Sequence, residues 1–231
     1  MAWDYAAQIH ALTGFDADDI EGESETGDTY SVLANRWLTD AAKEVINILP
    51  PKLKMKCAKI TNLYIGNTDT TMVMDGIGSI LHVTRENADS GYYIGCREIP
   101  SILADSAIDS SSLHYATSTD PVYWVDSNSE SVSTLFVRPT PTATQPAKIN
   151  HISYPLINNG ASAIANFPDE AEHLVVLRAA ITAAEYKLSF EEDIELYVPI
   201  IASLKLQYEQ AVLALQTGKL YTPKKKDKDD S

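Results

Sequence analysis

A surface helix with one apolar side needs one neighbour, but the helix read at residues 167 to 188, FPDEAEHLVVLRAAITAAEYKL, needs cover on two sides. Leu174, Leu177, Ile181, Ala184 and Leu188 recur at helical spacing and form one apolar stripe. Val175, Val176, Ala179, Ala183 and Tyr186 form a second on roughly the opposite side, leaving a narrow polar edge at Arg178, Thr182 and Glu185. Such a helix either lies inside its own chain, between other elements, or shares one face with a second molecule. The periodicity alone leaves both arrangements open.

The remaining segments show what is available to cover it. Residues 2 to 13 read as a short helix ended by Gly14, and 30 to 49 as a longer one, with Asp28 or Thr29 to cap it and Pro50 and Pro51 to stop it. In KLKMKCAK, Lys52, Lys54 and Lys56 alternate with Leu53, Met55 and Cys57, which suits a solvated strand edge, a short helix or a surface facing a negative neighbour. Five runs rich in β-branched and aromatic residues follow, at 79 to 85, 91 to 99, 121 to 126, 133 to 139 and 147 to 155, separated by clusters of turn residues. A helical excursion, PSILADSA, begins at Pro100. Tyr123 and Trp124 fall on opposite faces of their strand, so at least one ring belongs to a core.

After the two-sided helix, Ser189 and Glu192 have capping-box spacing and open a last helix towards Gln216, which Pro199 kinks or divides and Gly218 ends. Strands grouped between terminal helices predict an α+β fold, not an alternating parallel sheet. The expected organisation is one α+β domain over residues 1–218, with a flexible acidic arm at 14–29 and a charged tail at 219–231.

Charge and motifs narrow the chemistry. The acidic residues number 32 and the basic 18, a formal net charge of −14 that repels phosphate backbones and argues against a nucleic-acid binder. Cys57 and Cys96 lie far apart outside any CxxC pair, and read as reduced, buried thiols. No apolar run is long enough for a membrane span, and the first residues lack a signal-peptide pattern, so a cytoplasm-like compartment is expected.

Asp16 and Asp18 begin like a calcium loop, but Ile20 breaks the ligand series. Gly76 and Gly78 lack the third glycine of a dinucleotide fingerprint, and Ser162 lacks the second glycine of a nucleophile elbow. His10, His82, His114, His151 and His173 form no paired metal motif, and Glu191, Glu192, Asp193 and Glu195 suit the positive end of a helix. The expectation is a binding or structural protein with no catalytic residues, cofactor or metal.

Five stretches together carry a resemblance: QIHALTGFDADD near the start, WLTDAAKEVINILPP at 37–51, ILHVTREN at 80–87, YATSTDPVYWV at 115–125 and NFPDEAEHLVVLRAA at 166–180. They resemble virion structural proteins of tailed bacteriophages, particularly long-tailed marine and cyanobacterial phages. The order of helix, β-region, helical hairpin and tail is similar to head-to-tail adaptor proteins. The resemblance implies a virion neck subunit, assembled in the host cytoplasm into a ring of about twelve copies below the portal protein. In that setting Val175, Ala179, Ala183 and Tyr186 are expected to face an adjacent subunit, and Tyr208, Leu215 and Tyr221 to anchor the C-terminal segment on the portal. Tail, head-closure or terminator proteins would be the other partners, and DNA would pass through without specific binding. A tail-terminator, head-closure or tail-tube subunit is the alternative, and a small hydrolase a more remote one.

Overall fold

A computed structural model describes residues 4–15, 29–63, 70–87, 90–127, 133–189 and 194–217. Most of the acidic arm, the Asp16–Asp18 pair, Glu192 of the capping box, Glu191, Asp193, Gly218, Tyr221 and the charged tail lie outside the described residues. The fold is α+β. Its Cα packing divides into two compact units: a helical one from Met1–Lys56 with Pro155–Ser231, and a β-unit from Cys57–Tyr154. The β-unit is thus one continuous stretch set between two passes of helical chain.

In the helical unit, α1 (Tyr5–Thr13) is capped by Asp4, whose carboxylate accepts the Ala7 amide at 2.8 Å, and ends at Gly14 with φ 76°. That left-handed conformation suits glycine because no Cβ crowds the backbone. Helix α2 (Tyr30–Ile48) buries Leu33, Ala34, Trp37, Leu38, Ala41, Ala42, Val45 and Ile46. Thr29 holds the N-cap position but makes no capping side-chain bond. After Pro50, a single turn α3 (Pro51–Lys54) passes through a 3₁₀ turn at Met55–Cys57.

The two-sided helix is α5 (Asp169–Leu188), and the last is α6 (Ile194–Thr217), which runs on through Pro199. Helix α5 packs against α1, α2 and α6, and its cover on both stripes comes from within the chain. Leu174, Val175, Ala179, Ala180, Ala183 and Ala184 are all 0% exposed. The expectation that Val175, Ala179 and Ala183 face a second subunit is therefore corrected: small side chains let neighbouring helices come close, and those neighbours belong to the same polypeptide. Tyr186, the fourth residue of that set, is half-buried with its ring 5.5 Å from that of Trp37 on α2.

The polar edge of α5 is used as well. Arg178 Nε donates to Glu44 of α2 at 2.7 Å, and Lys205 of α6 reaches Glu185 at 2.8 Å. The connection at 155–168 is tied down by hydrogen bonds from its backbone: Ile157 N to Thr39 Oγ1 at 3.1 Å, Asn159 N to Asn35 Oδ1 at 2.6 Å, and Ile164 N to Glu172 Oε1 at 2.8 Å. In return its carbonyls at Asn159 and Ala161 accept the Ala6 and Tyr5 amides at the open start of α1.

The β-unit holds β1 (Ala58–Leu63), β2 (Thr71–Val73), β3 (Ile77–Glu86), β4 (Tyr93–Gly95), β5 (Arg97–Glu98), β6 (Val122–Ser127), β7 (Ser133–Arg138) and β8 (Ala147–Ser153). One sheet has the order β1-β8-β3-β4 and the other β2-β7-β6-β5; every pairing is antiparallel except β5 with β6. Leu63, Val83, Ala147 and Ile149 of the first sheet meet Tyr123, Leu135 and Val137 of the second in one core. The run read as one strand at 91–99 serves both sheets, as β4 and β5. Gly78 sits against β8, where an added Cβ would meet Ile152 Cβ and Tyr154 Cζ at 3.2 Å.

Candidate interaction site

Between β5 and β6 the chain leaves the sheet, forms a 3₁₀ turn at Ser101–Leu103 and the short α4 (Ala104–Ile108), and returns through turns to β6. This excursion has two sides. Ile99, Ala107 and Ala116 pack on Val122 and Trp124, which project from the outer face of the second sheet. Trp124 also stacks on Phe136, with ring centroids 5.5 Å apart, and the Arg138 guanidinium lies 5.8 Å from its centroid. Both aromatic residues of the Tyr123–Trp124 pair are therefore buried, one in each of two cores.

The attachment is reinforced by polar bonds. Ala116 N donates to Ala107 O at 3.0 Å, Asp109 Oδ1 accepts from Ser111 N at 2.9 Å, and Arg97 meets Asp120 at 2.9 Å. On the other side Ile102, Ile108, Leu113 and Tyr115 are 87%, 52%, 102% and 42% exposed. Large apolar side chains left in water forgo roughly 25 cal/mol for each Å² that a partner would cover. A segment anchored on one side and apolar on the other is suited to macromolecular contact. Sequence reading located this excursion but missed its outward side, because Ile102, Ile108 and Leu113 follow no single helical face. The available signal was apolar residues set among Ser and Asp in a segment too short to enclose them.

Tyr208, expected as a portal anchor, is half-buried, and its enclosed hydroxyl has no hydrogen-bond partner among the described residues. It lines a cleft with Glu44, Arg178, Ile181, Glu185 and Lys205. Burial and then the Glu44 carboxylate push its pKa up, with Arg178 opposing them. Leu215 is half-buried on α6, whose outward residues Leu206 and Leu213, absent from the sequence prediction, are 56% and 51% exposed.

Two titratable side chains are built into the β-unit. His151 is 2% exposed, with Nε2 3.0 Å from Thr61 Oγ1 and Nδ1 3.1 Å from the Ile152 carbonyl. Tyr123 donates to Glu98 at 3.0 Å, and burial, more than that contact, pushes its pKa up to about 12. Among the described residues, no three of His, Cys, Asp and Glu gather as metal ligands, and no helix is long and apolar enough to cross a membrane.

Neither Cys57 nor Cys96 forms a disulfide among the described residues; Cys57 is buried as expected, whereas Cys96 is only partly so, and burial still pushes its pKa up to about 12. Relative to an exposed thiol, Cys96 then holds far less thiolate at neutral pH. Alkylation by a maleimide is expected to be slow at both sites in native protein and rapid in urea. Rapid labelling of Cys96 without denaturant would contradict this environment.

Compared with known proteins, the sequence matches no family model and no curated protein.

Proposed function

We propose that the protein is a structural subunit of the phage head-to-tail connector, an adaptor ring below the portal that joins capsid to tail in the virion neck. The resemblance in five stretches of sequence supplies the setting. The observation that carries an assembly role is the outward apolar side of the 101–115 excursion, with Ile102, Ile108 and Leu113 held in water on a segment braced from behind. In this reading the β-unit contributes a surface for subunit association, while α5 organises the subunit's own interior.

The formal charge of −14 fits a conduit, because surplus carboxylates keep passing DNA from binding its wall. The portal contact is assigned to the end of α6 and the chain after it, with Tyr208, Leu215 and Tyr221 as its anchors. Tail, head-closure or terminator proteins occupy the other side of the ring. No catalysis is assigned, and assembly takes place in the host cytoplasm.

The mass of the purified full chain, measured with and without portal protein, tests the reading. The expected result is a ring of about twelve copies, formed at high concentration or on the portal. A species that remains monomeric and ignores the portal would overturn it, and a hexamer would favour a tail terminator. Deleting residues 219–231 is expected to weaken portal binding by about tenfold while leaving the subunit folded. Unchanged affinity would remove the C-terminal segment from that contact.

A further inference from the structure

We propose that the excursion on the β-unit of one copy docks on the lysine-bearing turn after α2 of a second copy of this chain. The inference rests on the ring reading above and adds to it the two surfaces that meet. Each exposes apolar side chains, several on the excursion and Met55 on the turn, and the two carry opposite charge.

From Glu98 through Val137 the sequence contains no lysine or arginine. Along the excursion Asp105 and Asp109 fall in sequence between the exposed Ile102, Ile108 and Leu113, and both acidic residues are exposed too. Asp109 accepts one backbone amide, from Ser111, and Asp120 is taken by Arg97. Among the described residues Asp105 and Asp109 form no ion pair, so they give the projection its net negative charge.

The opposite surface follows α2. Between Glu44 and Asp69 the sequence contains no acid, yet it holds Lys52, Lys54, Lys56 and Lys59. In the helical unit, Lys52 is exposed, Lys54 is partly exposed, and Met55 beside them is 53% exposed. Lys56 is occupied by the Glu170 carboxylate, at 2.8 and 3.0 Å. Lys52 and Lys54 form no ion pair among the described residues. The turn therefore offers an adaptable methionine flanked by two cations, and the projection offers branched aliphatic side chains flanked by two anions.

The two surfaces are different parts of one polypeptide, which identifies the occupant. A partner that presents both halves of a complementary pair, each to the next molecule, makes a heterologous contact that repeats from copy to copy. Such contacts close into a ring when the rotation between copies permits. Electrostatic complementarity then orients the encounter, and the apolar centre excludes water from it.

Charge reversal in the full-length protein tests this. Lys52→Glu with Lys54→Glu makes one variant, and Asp105→Lys with Asp109→Lys the other; all four positions are solvent-accessible, and circular dichroism should show that both variants fold. Each variant alone is expected to associate about tenfold or more weakly than the parent, because like charges then face each other at every contact. Mixed in equal amounts, the two should assemble in alternation, since each projection then meets a turn of opposite charge. Parent assembly should weaken as salt is raised.

If the parent assembles and the reversed variants assemble equally well, or the mixture is no better than either alone, this docking is overturned while the ring reading stands. A parent that never associates, with or without portal, removes both.

Discussion

Replacing Arg85 by methionine is expected to lower the stability of the protein by about 2–3 kcal/mol, even though methionine fills much of the same space. Arg85 lies on β3 and is 3% exposed. Its Nε donates to the Pro139 carbonyl at 2.8 Å, its Nη1 to the Glu86 carbonyl at 3.0 Å, and its Nη2 to Gln145 Oε1 at 2.8 Å. None of these acceptors is a carboxylate, and burial pulls the guanidinium pKa down. The residue is therefore a buried cation held by neutral groups, and it ties β3 to the connection between β7 and β8.

Two effects oppose each other on substitution. Methionine removes the cost of burying a charge, which favours the variant, but it leaves three part-buried oxygens without their donor, each at the lower end of about 1–3 kcal/mol. With three acceptors abandoned, the second effect wins. Lysine should be worse than methionine, because an ammonium keeps the buried charge but lacks the planar fork that reaches all three. The urea midpoint should fall for both variants, with little change in the slope of the transition. A methionine variant as stable as the parent would mean that Arg85 contributes no net stability.

The second large effect belongs to α5. Leu174 is 0% exposed, and Leu174→Ala should cost about 3 kcal/mol or more, since the helices around it can only partly collapse into the void. Ala183→Leu is the more discriminating change. Ala183 is also 0% exposed, so the added methylenes must displace helices packed on α5, at about 1–3 kcal/mol. The loss should appear in thermal unfolding of the isolated subunit, at concentrations where no ring forms. An Ala183→Leu subunit with unchanged melting but defective assembly would return this face to a subunit interface and overturn its place in the interior.

Much of the architecture was legible because local chemistry set it. Pro50, Pro51 and Gly14 mark helix ends by their own backbone limits, and β-branched and aromatic runs identified five strand regions. Two strands escaped notice. β1 carries Lys59, Thr61 and Asn62 and buries only Leu63 fully, while β2 spans just Thr71–Val73. Their place in the sheets comes from pairing with β8 and β7, which are distant in sequence. Likewise nothing local marks Cys96 as the point where one apparent strand passes from the first sheet to the second.

The candidate surface was less legible than the fold. Val175, Ala179 and Ala183 advertise an apolar face, but periodicity does not identify what covers it, and the covering helices come from both ends of the chain. Ile102 and Leu113 advertise little, and their exposure follows from where Trp124 holds Ala107 and Ala116.

By itself, then, the order of residues determined the α+β class, the helix ends, the acidic charge and the two-sided character of α5. Only the tertiary structure decided that α5 is enclosed by its own chain and that an apolar surface left to water lies on the excursion between β5 and β6. The reason is physical: turn chemistry and hydrophobic period act within a few residues, whereas burial is set by neighbours brought together from far along the chain.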